Sequence, residues 1–265
     1  MSIKTKISSH STYHKNLIII FVLIIITSLT VYLLVTNNSN PNGTNNPNGT
    51  NNPAVVVHVK NEQELIKAID NTETNTPIII TLNNNIYLTN GIIIPAHKNV
   101  TLTSKDNNTF KLFGANNNTT ILVYQNGLLI LDGIVVTHVS GYEGKGVTVS
   151  RGGQLIMYRG EISNNNGVIT GSIFVAEDYG GGVYNAGVFI MYGGTITNNK
   201  AITGGGVSNF GVFIMYGGTI SGNTAVSDND VHNRGNFSMF GGKILGNIVP
   251  APSDGGGGGV GAGGG

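Results

Sequence analysis

Hydrophobic and polar positions divide the chain into three regimes. Leu17 to Val35 reads LIIIFVLIIITSLTVYLLV, 19 residues without a charge. As a helix it would extend about 28 Å, enough to cross a bilayer core. Asn37 to Pro53 has no apolar side chain to bury and contains NPNGTN twice. That composition predicts a solvated spacer. Beyond Ala54, short apolar runs rich in Val, Ile, Phe and Tyr alternate with Gly and Asn. This spacing predicts strands and turns. The early strands are expected over Ile78–Leu82, Ile86–Leu88, Ile92–Ile94, Val100–Leu102, Phe110–Phe113, Ile121–Tyr124 and Leu128–Val136. One segment has a helical pattern instead. Asn61 to Asp70 places Leu65, Ile66 and Ile69 on one side, with Asn61 as N-cap and Glu64 at the third helical position.

The C-terminal half repeats. Val183–Asn199 (VYNAGVFIMYGGTITNN), Val207–Asn223 (VSNFGVFIMYGGTISGN) and Val231–Asn247 (VHNRGNFSMFGGKILGN) follow one another with a period of 24 residues. Val149–Asn165 (VSRGGQLIMYRGEISNN) is a fourth copy, separated from the next by an insertion within residues 166–179. Leucine-rich repeats have similar lengths, but no L-x-x-L-x-L frame is present. Stacked short strands, each pairing with the next copy, give a parallel β-helix. The expected class is all-β: about seven coils over residues 78–248, a rod about 34 Å long, with the Asn61–Asp70 helix capping its open end.

Side chains alternate along a strand, so the copies assign faces. Asn236 and Ser238 stand where earlier copies have Val and Ile, which marks those positions as outward. Phe189, Phe213 and Phe237 should then face inward, with Met157, Met191, Met215 and Met239. Ile162, Ile196, Ile220 and Ile244 extend the interior. Gly193–Gly194, Gly217–Gly218 and Gly241–Gly242 are expected at corners. Asn165, Asn199, Asn223 and Asn247 recur at one turn position and predict an axial hydrogen-bond ladder.

Charge orients the N-terminal apolar run. Lys4, Lys6 and Lys15 precede it, and the next charge is Lys60. The positive-inside rule puts the N-terminus in the cytoplasm and the rest outside. The alternatives are a cleaved signal peptide, which would release a secreted chain, and a buried helix. The signal peptide suits a shorter core followed by A-x-A, a pattern not found here. The expected segments are 1–16 cytoplasmic, 17–35 transmembrane, 36–53 linker, 54–249 β-helix and 250–265 a Gly-rich tail. The tail either folds over the last coil or leaves an edge open to homotypic association.

Composition narrows the chemistry. Charged residues make up only 10% of the 265-residue chain, while Gly supplies 40 residues and Asn 36. A net charge of +1 gives no basic footprint for nucleic acid. Zero Cys removes disulfides and thiol chemistry. N-x-S/T sequons begin at Asn37, Asn42, Asn48, Asn99, Asn107, Asn117, Asn118 and Asn236, and matter only where glycosylation machinery exists.

NEQELIKAID followed by IIITL and NVTLTS resembles the start of a right-handed parallel β-helix of the pectate-lyase-like superfamily. GGGVYN and GGTISGNTA resemble repeats of adhesin-like surface proteins of archaea and bacteria. They are more loosely similar to polymorphic outer-membrane protein repeats. The resemblance covers residues 54–249 and implies a surface protein that binds glycans, envelope components or other cells. Because the superfamily also holds polysaccharide lyases and hydrolases, a membrane-tethered enzyme is the rival class, and a purely structural envelope component is a third.

Such enzymes need convergent carboxylates, or calcium-binding acids beside a base. Outside the Asn61–Asp70 helix, only Glu177–Asp178 and Asp228/Asp230 form close acidic pairs. The first reads as a solvated loop pair, with weak calcium or glycan binding the lesser alternative, and the second as exposed turn residues, with calcium binding the lesser alternative. Arg151, Arg159 and Arg234 fall at different repeat positions. His138 and His232 read as turn or surface residues without metal-ligand spacing. No catalytic residue, metal or cofactor is therefore expected. The candidate ligand surface is an outward stripe of Tyr158, Tyr192, Tyr216 and Phe240, flanked by Ile156, Ile190 and Ile214. It is either an inter-rung stack or a platform for glycans, envelope polymers or proteins.

Overall fold

The computed structural model describes residues 54–105, 109–167, 179–246 and the backbone at 248–249. The chain divides into Met1–Ala54 and Val55–Gly265. The second unit is an all-β parallel solenoid of about seven turns. The expected transmembrane segment 17–35, the linker 36–53, the tail 250–265, Glu177, Asp178 and Asn247 lie outside the described residues. Among those described, no helix is long and apolar enough to cross a membrane.

The solenoid begins with a strand that the hydrophobic pattern did not announce. Strand β1, Val55–Val59, pairs in parallel with Pro77–Leu82. Between them lies helix α1, Glu62–Asn71. Its N-terminus forms as the sequence predicts: Glu64 N donates to Asn61 Oδ1 at 2.9 Å. The Glu64 carboxylate turns back to accept from Lys60 N at 2.8 Å. Leu65, Ala68 and Ile69 are buried, whereas Ile66 is exposed. The expected apolar face is thus corrected by one position: Ala68, three residues after Leu65, takes the place assigned to Ile66.

The other predicted strands form within a residue or two of expectation. Asn99–Ser104, Lys111–Gly114, Ile121–Val123 and Leu128–His138 continue the coils. Among the described residues, a 13-stranded sheet, a 7-stranded sheet and a two-stranded sheet wrap the interior. Every strand-to-strand ladder is parallel. Like residues therefore stack on like. Phe189 pairs with Phe213, and Phe213 with Phe237. Their rings stack at 4.7 and 4.9 Å. Met157, Met191 and Met215, then Ile162, Ile196 and Ile220, fill the interior beside them; Met239 and Ile244 are partly buried at the last coil.

The corners explain the paired glycines. Gly218 has φ +91°, and a Cβ there would lie 2.6 Å from Met191 Cε and 2.7 Å from Gly194 O. A side chain would meet both strain and a filled space.

The predicted Asn ladder is present and directional. Asn165 Nδ2 donates to Asn199 Oδ1 at 2.9 Å, and Asn199 Nδ2 to Asn223 Oδ1 at 3.0 Å. The backbone N–H of Asn165 and of Asn199 donates to the same two oxygens. Each Nδ2 also donates to a strand carbonyl, Val136 O, Ile162 O or Ile196 O. These backbone partners fix which way each amide faces. The next acceptor is Asp230: its Oδ1 accepts from Asn223 N at 3.2 Å and Nδ2 at 2.8 Å. A second ladder joins Asn185, Asn209 and Asn233 through Nδ2–Oδ1 bonds of 2.7 Å each.

The six amides are buried, so each link replaces water that cannot enter. Asn199→Ala leaves two donors of Asn165 and the acceptors at Ile162 and Asn223 short of partners. It should destabilise the solenoid by about 3 kcal/mol in urea unfolding. Thr197→Ala, on the outer face of the same coil, should cost less than about 1 kcal/mol. Equal costs would remove the ladder from its structural role.

Candidate functional site

The outward stripe exists as a stack of rings. Tyr158–Tyr192, Tyr192–Tyr216 and Tyr216–Phe240 have centroids 5.1, 5.1 and 5.2 Å apart, with interplanar angles of 12°, 8° and 16°. Parallel register imposes this, since each ring sits one rung above an equivalent ring. Stacking covers the faces of Tyr192 and Tyr216. The middle of the stripe thus presents ring edges rather than ring faces. Exposure grows along the axis: Tyr158 and Tyr192 are half-buried, Tyr216 is 37% exposed and Phe240 65%.

The expected exposure of Ile156, Ile190 and Ile214 is corrected. They are 4%, 2% and 2% exposed. They stand outside the interior cluster of Phe189 and Met191, on the opposite face of the strand. Each Ile has an in-register Ile neighbour, and outward residues two positions away flank it on both sides. At that exposure Ile190 and Ile214 offer no contact surface.

The acidic pair of the last coil is also corrected. Asp230 is only 1% exposed and accepts from Asn223, the last described Asn of the ladder. In earlier coils Gly182 and Gly206 hold its place. A Cβ on Gly206 would lie 2.8 Å from Asn223 Nδ2, so a side chain at this position reaches straight into the ladder. Its Oδ2 is buried without a hydrogen-bond partner. Asp228 adopts φ +60° where Gly180 and Gly204 have +69° and +64°. Its carboxylate meets His232 Nδ1 at 2.5 Å.

His232 is 7% exposed, and its Nε2 has no partner. It lies against Tyr179 and Phe210. His138 is likewise buried: Nε2 donates to Asn118 O at 2.9 Å, and Nδ1 meets Asn165 Oδ1 at 2.8 Å. Neither His is the surface residue that its flanking turn signals implied. Both sit on strands, facing polar groups that the fold brings close.

Other acids are engaged in structure. Asp132 pairs with Arg159 at 2.6 Å, and its hydrogen bond and charge raise the guanidinium above its ordinary pKa. Glu62 accepts from Thr89 N and Oγ1. Among the described residues, no group of three or more His, Cys, Asp or Glu is placed to hold a metal ion.

A second surface escaped sequence reasoning. Tyr87 and Phe113 stack at 4.6 Å with an angle of 5°. Beside Phe113 opens a groove of about 540 Å³ that also takes in Thr137, Tyr142, Lys111 and Glu143. The alternating run around Phe113 could have suggested an outward ring. Its neighbours depend on loop lengths that follow no fixed period.

The chain matches no family model, no curated protein and no solved structure.

Burial, followed by the charge of neighbouring Tyr192, raises the Tyr216 hydroxyl above the ordinary phenol value of about 10. The folded state therefore holds this proton longer than the unfolded chain. Its contribution to stability is intact below about pH 10 and is lost as pH rises through the folded value. Tyr216→Phe should make the unfolding midpoint fall less steeply above about pH 10. An unchanged alkaline decline would contradict this.

Proposed function

We propose that the protein is a membrane-anchored, non-catalytic surface module. In this reading residues 17–35 hold it in the cell membrane with the N-terminus cytoplasmic. Residues 36–53 form a stalk, and the solenoid binds glycans or other cell-envelope components outside. The adhesin-like role and the right-handed pectate-lyase-like ancestry rest on the resemblance of residues 54–249.

The observation that carries the binding reading is the outward row Tyr158–Tyr192–Tyr216–Phe240, whose exposure peaks at 65% on Phe240. Aromatic edges with phenol hydroxyls combine apolar contact and hydrogen bonding, as polymer-binding surfaces require. The rigid solenoid holds these groups at a regular spacing, so an extended partner meets them without ordering them. The engagement of Asp132, Asp230 and Glu62 within the fold favours binding over lyase or hydrolase chemistry.

Tyr216→Ser combined with Phe240→Ser should reduce binding of the full chain to isolated envelope polysaccharide at least tenfold. Circular dichroism should stay unchanged, because both side chains are surface-exposed. Undiminished binding by the folded double variant would remove the proposal.

A further inference from the structure

We infer that the groove beside the 139–143 loop is a binding site for a neutral saccharide. It shares a ligand class with the proposed function but none of its residues.

The site arises from one step in a stacked row. On the outer face, Tyr87 pairs in register with Phe113, and Phe113 with Thr137. The first pair stacks face to face, so Tyr87 covers one face of the Phe113 ring. The opposite face looks along the solenoid axis toward the next rung. There the row changes from an aromatic ring to a small hydroxyl side chain. The missing ring leaves a notch, with Phe113 as its end wall and Thr137 as its floor. The Tyr158–Phe240 stack has no such internal step. Its rings cover one another, whereas Phe113 keeps a face for a ligand.

The opposite wall is a loop held in place. Tyr142 N donates to Val139 O at 3.1 Å, Glu143 N to Asn117 Oδ1 at 3.0 Å, and Gly144 N to Asn166 O at 2.6 Å. The Tyr142 side chain is 44% exposed at the rim. His138 lines the base, but its ring nitrogens face Asn118 O and Asn165 Oδ1. It therefore shapes the site, leaving the ligand contacts to other groups.

Composition selects the ligand. An aromatic face accepts the C–H face of a pyranose ring. The amide of Asn164 supplies donors and an acceptor at the groove, above the buried Thr137. Lys111 and Glu143 bring one charge of each sign. Together they give the groove lining no net formal charge, which suits a neutral sugar better than a phosphorylated or uronic one. The volume of about 540 Å³ falls within the range of small-ligand sites and suits a short oligosaccharide.

The test is calorimetric titration of the full chain, solubilised without glycoside detergents. The probes are neutral cello-, malto-, manno- and chito-oligosaccharides, with trigalacturonate as the charged comparison. At least one neutral probe should bind, and better than trigalacturonate. Thr137→Phe extends the Tyr87–Phe113 stack into the notch and should weaken that binding at least tenfold while the unfolding temperature is kept. Tyr142→Ala, on the exposed loop, should weaken it without touching the coil and serves should Thr137→Phe fail to fold. Tyr216→Ser with Phe240→Ser should leave it unchanged, which separates this site from the outer stack. Failure of every neutral probe to bind would overturn the inference. So would stronger trigalacturonate binding, or neutral binding that survives a folded notch-filling variant.

Discussion

The solenoid depends on satisfying buried backbone groups at its turns. A parallel sheet satisfies its own strands, but each coil must bend several times around a narrow interior. Peptide groups at the bends face neighbours that are not strands, and an unpaired buried group costs about 1–3 kcal/mol. Asn answers this geometry because one side chain carries an acceptor and two donors. Asn199 accepts from the backbone and side chain of Asn165, then donates to Ile162 O and to Asn223. The links run along the axis, so the turns of successive coils are held in register with the strands. The high Asn content is therefore a structural requirement of the repeat region as much as a property of the linker.

A ladder of this kind needs an end. Among the described residues the last Asn of the ladder, Asn223, finds its acceptor in Asp230, which stands on the next coil in the place that Gly206 holds in its own. Asp carries acceptor oxygens where another Asn would also bring donors in need of partners. The last coil differs in other outward positions as well. Asn236, Ser238 and Lys243 replace the Val, Ile and Thr of the coil before. Polar and charged residues of this type reduce unwanted pairing at a sheet edge. This repeat retains the interior Phe and Met positions while altering its outer and axial contacts.

Much of this was legible in the sequence because the period of 24 makes equivalent positions comparable. The interior rows of Phe, Met and Ile, the glycine corners and the Asn165–Asn199–Asn223 ladder all follow from comparing copies. The Asn61 cap follows from local chemistry alone. Less legible were features in which a substitution changes direction as well as polarity. Asp230 reads as a solvated turn residue until the axial space beside Asn223 is known. Asn185, Asn209 and Asn233 also recur, but their burial depends on how tightly the following turn closes. Ile190 and Ile214 lie on the outward face as alternation requires, yet they are buried. The Phe113 notch was hidden because the early coils share no single period: Ile78 pairs with Val100, but Val100 pairs with the more distant Leu129. The two proposed binding surfaces are therefore irregularities on a regular frame, one where a row of rings becomes exposed and one where a row is interrupted.

The central physical claim is that the axial Asn ladder closes the turns as firmly as the sheets close the strands. Amide hydrogen exchange followed by NMR measures this residue by residue. The backbone N–H groups of Asn165 and Asn199, which donate to the next Asn side chain, should exchange as slowly as the interior strand amides of Phe213 and Met215. Exchange at the rate of a solvent-exposed turn, with the strand amides still protected, would contradict the account.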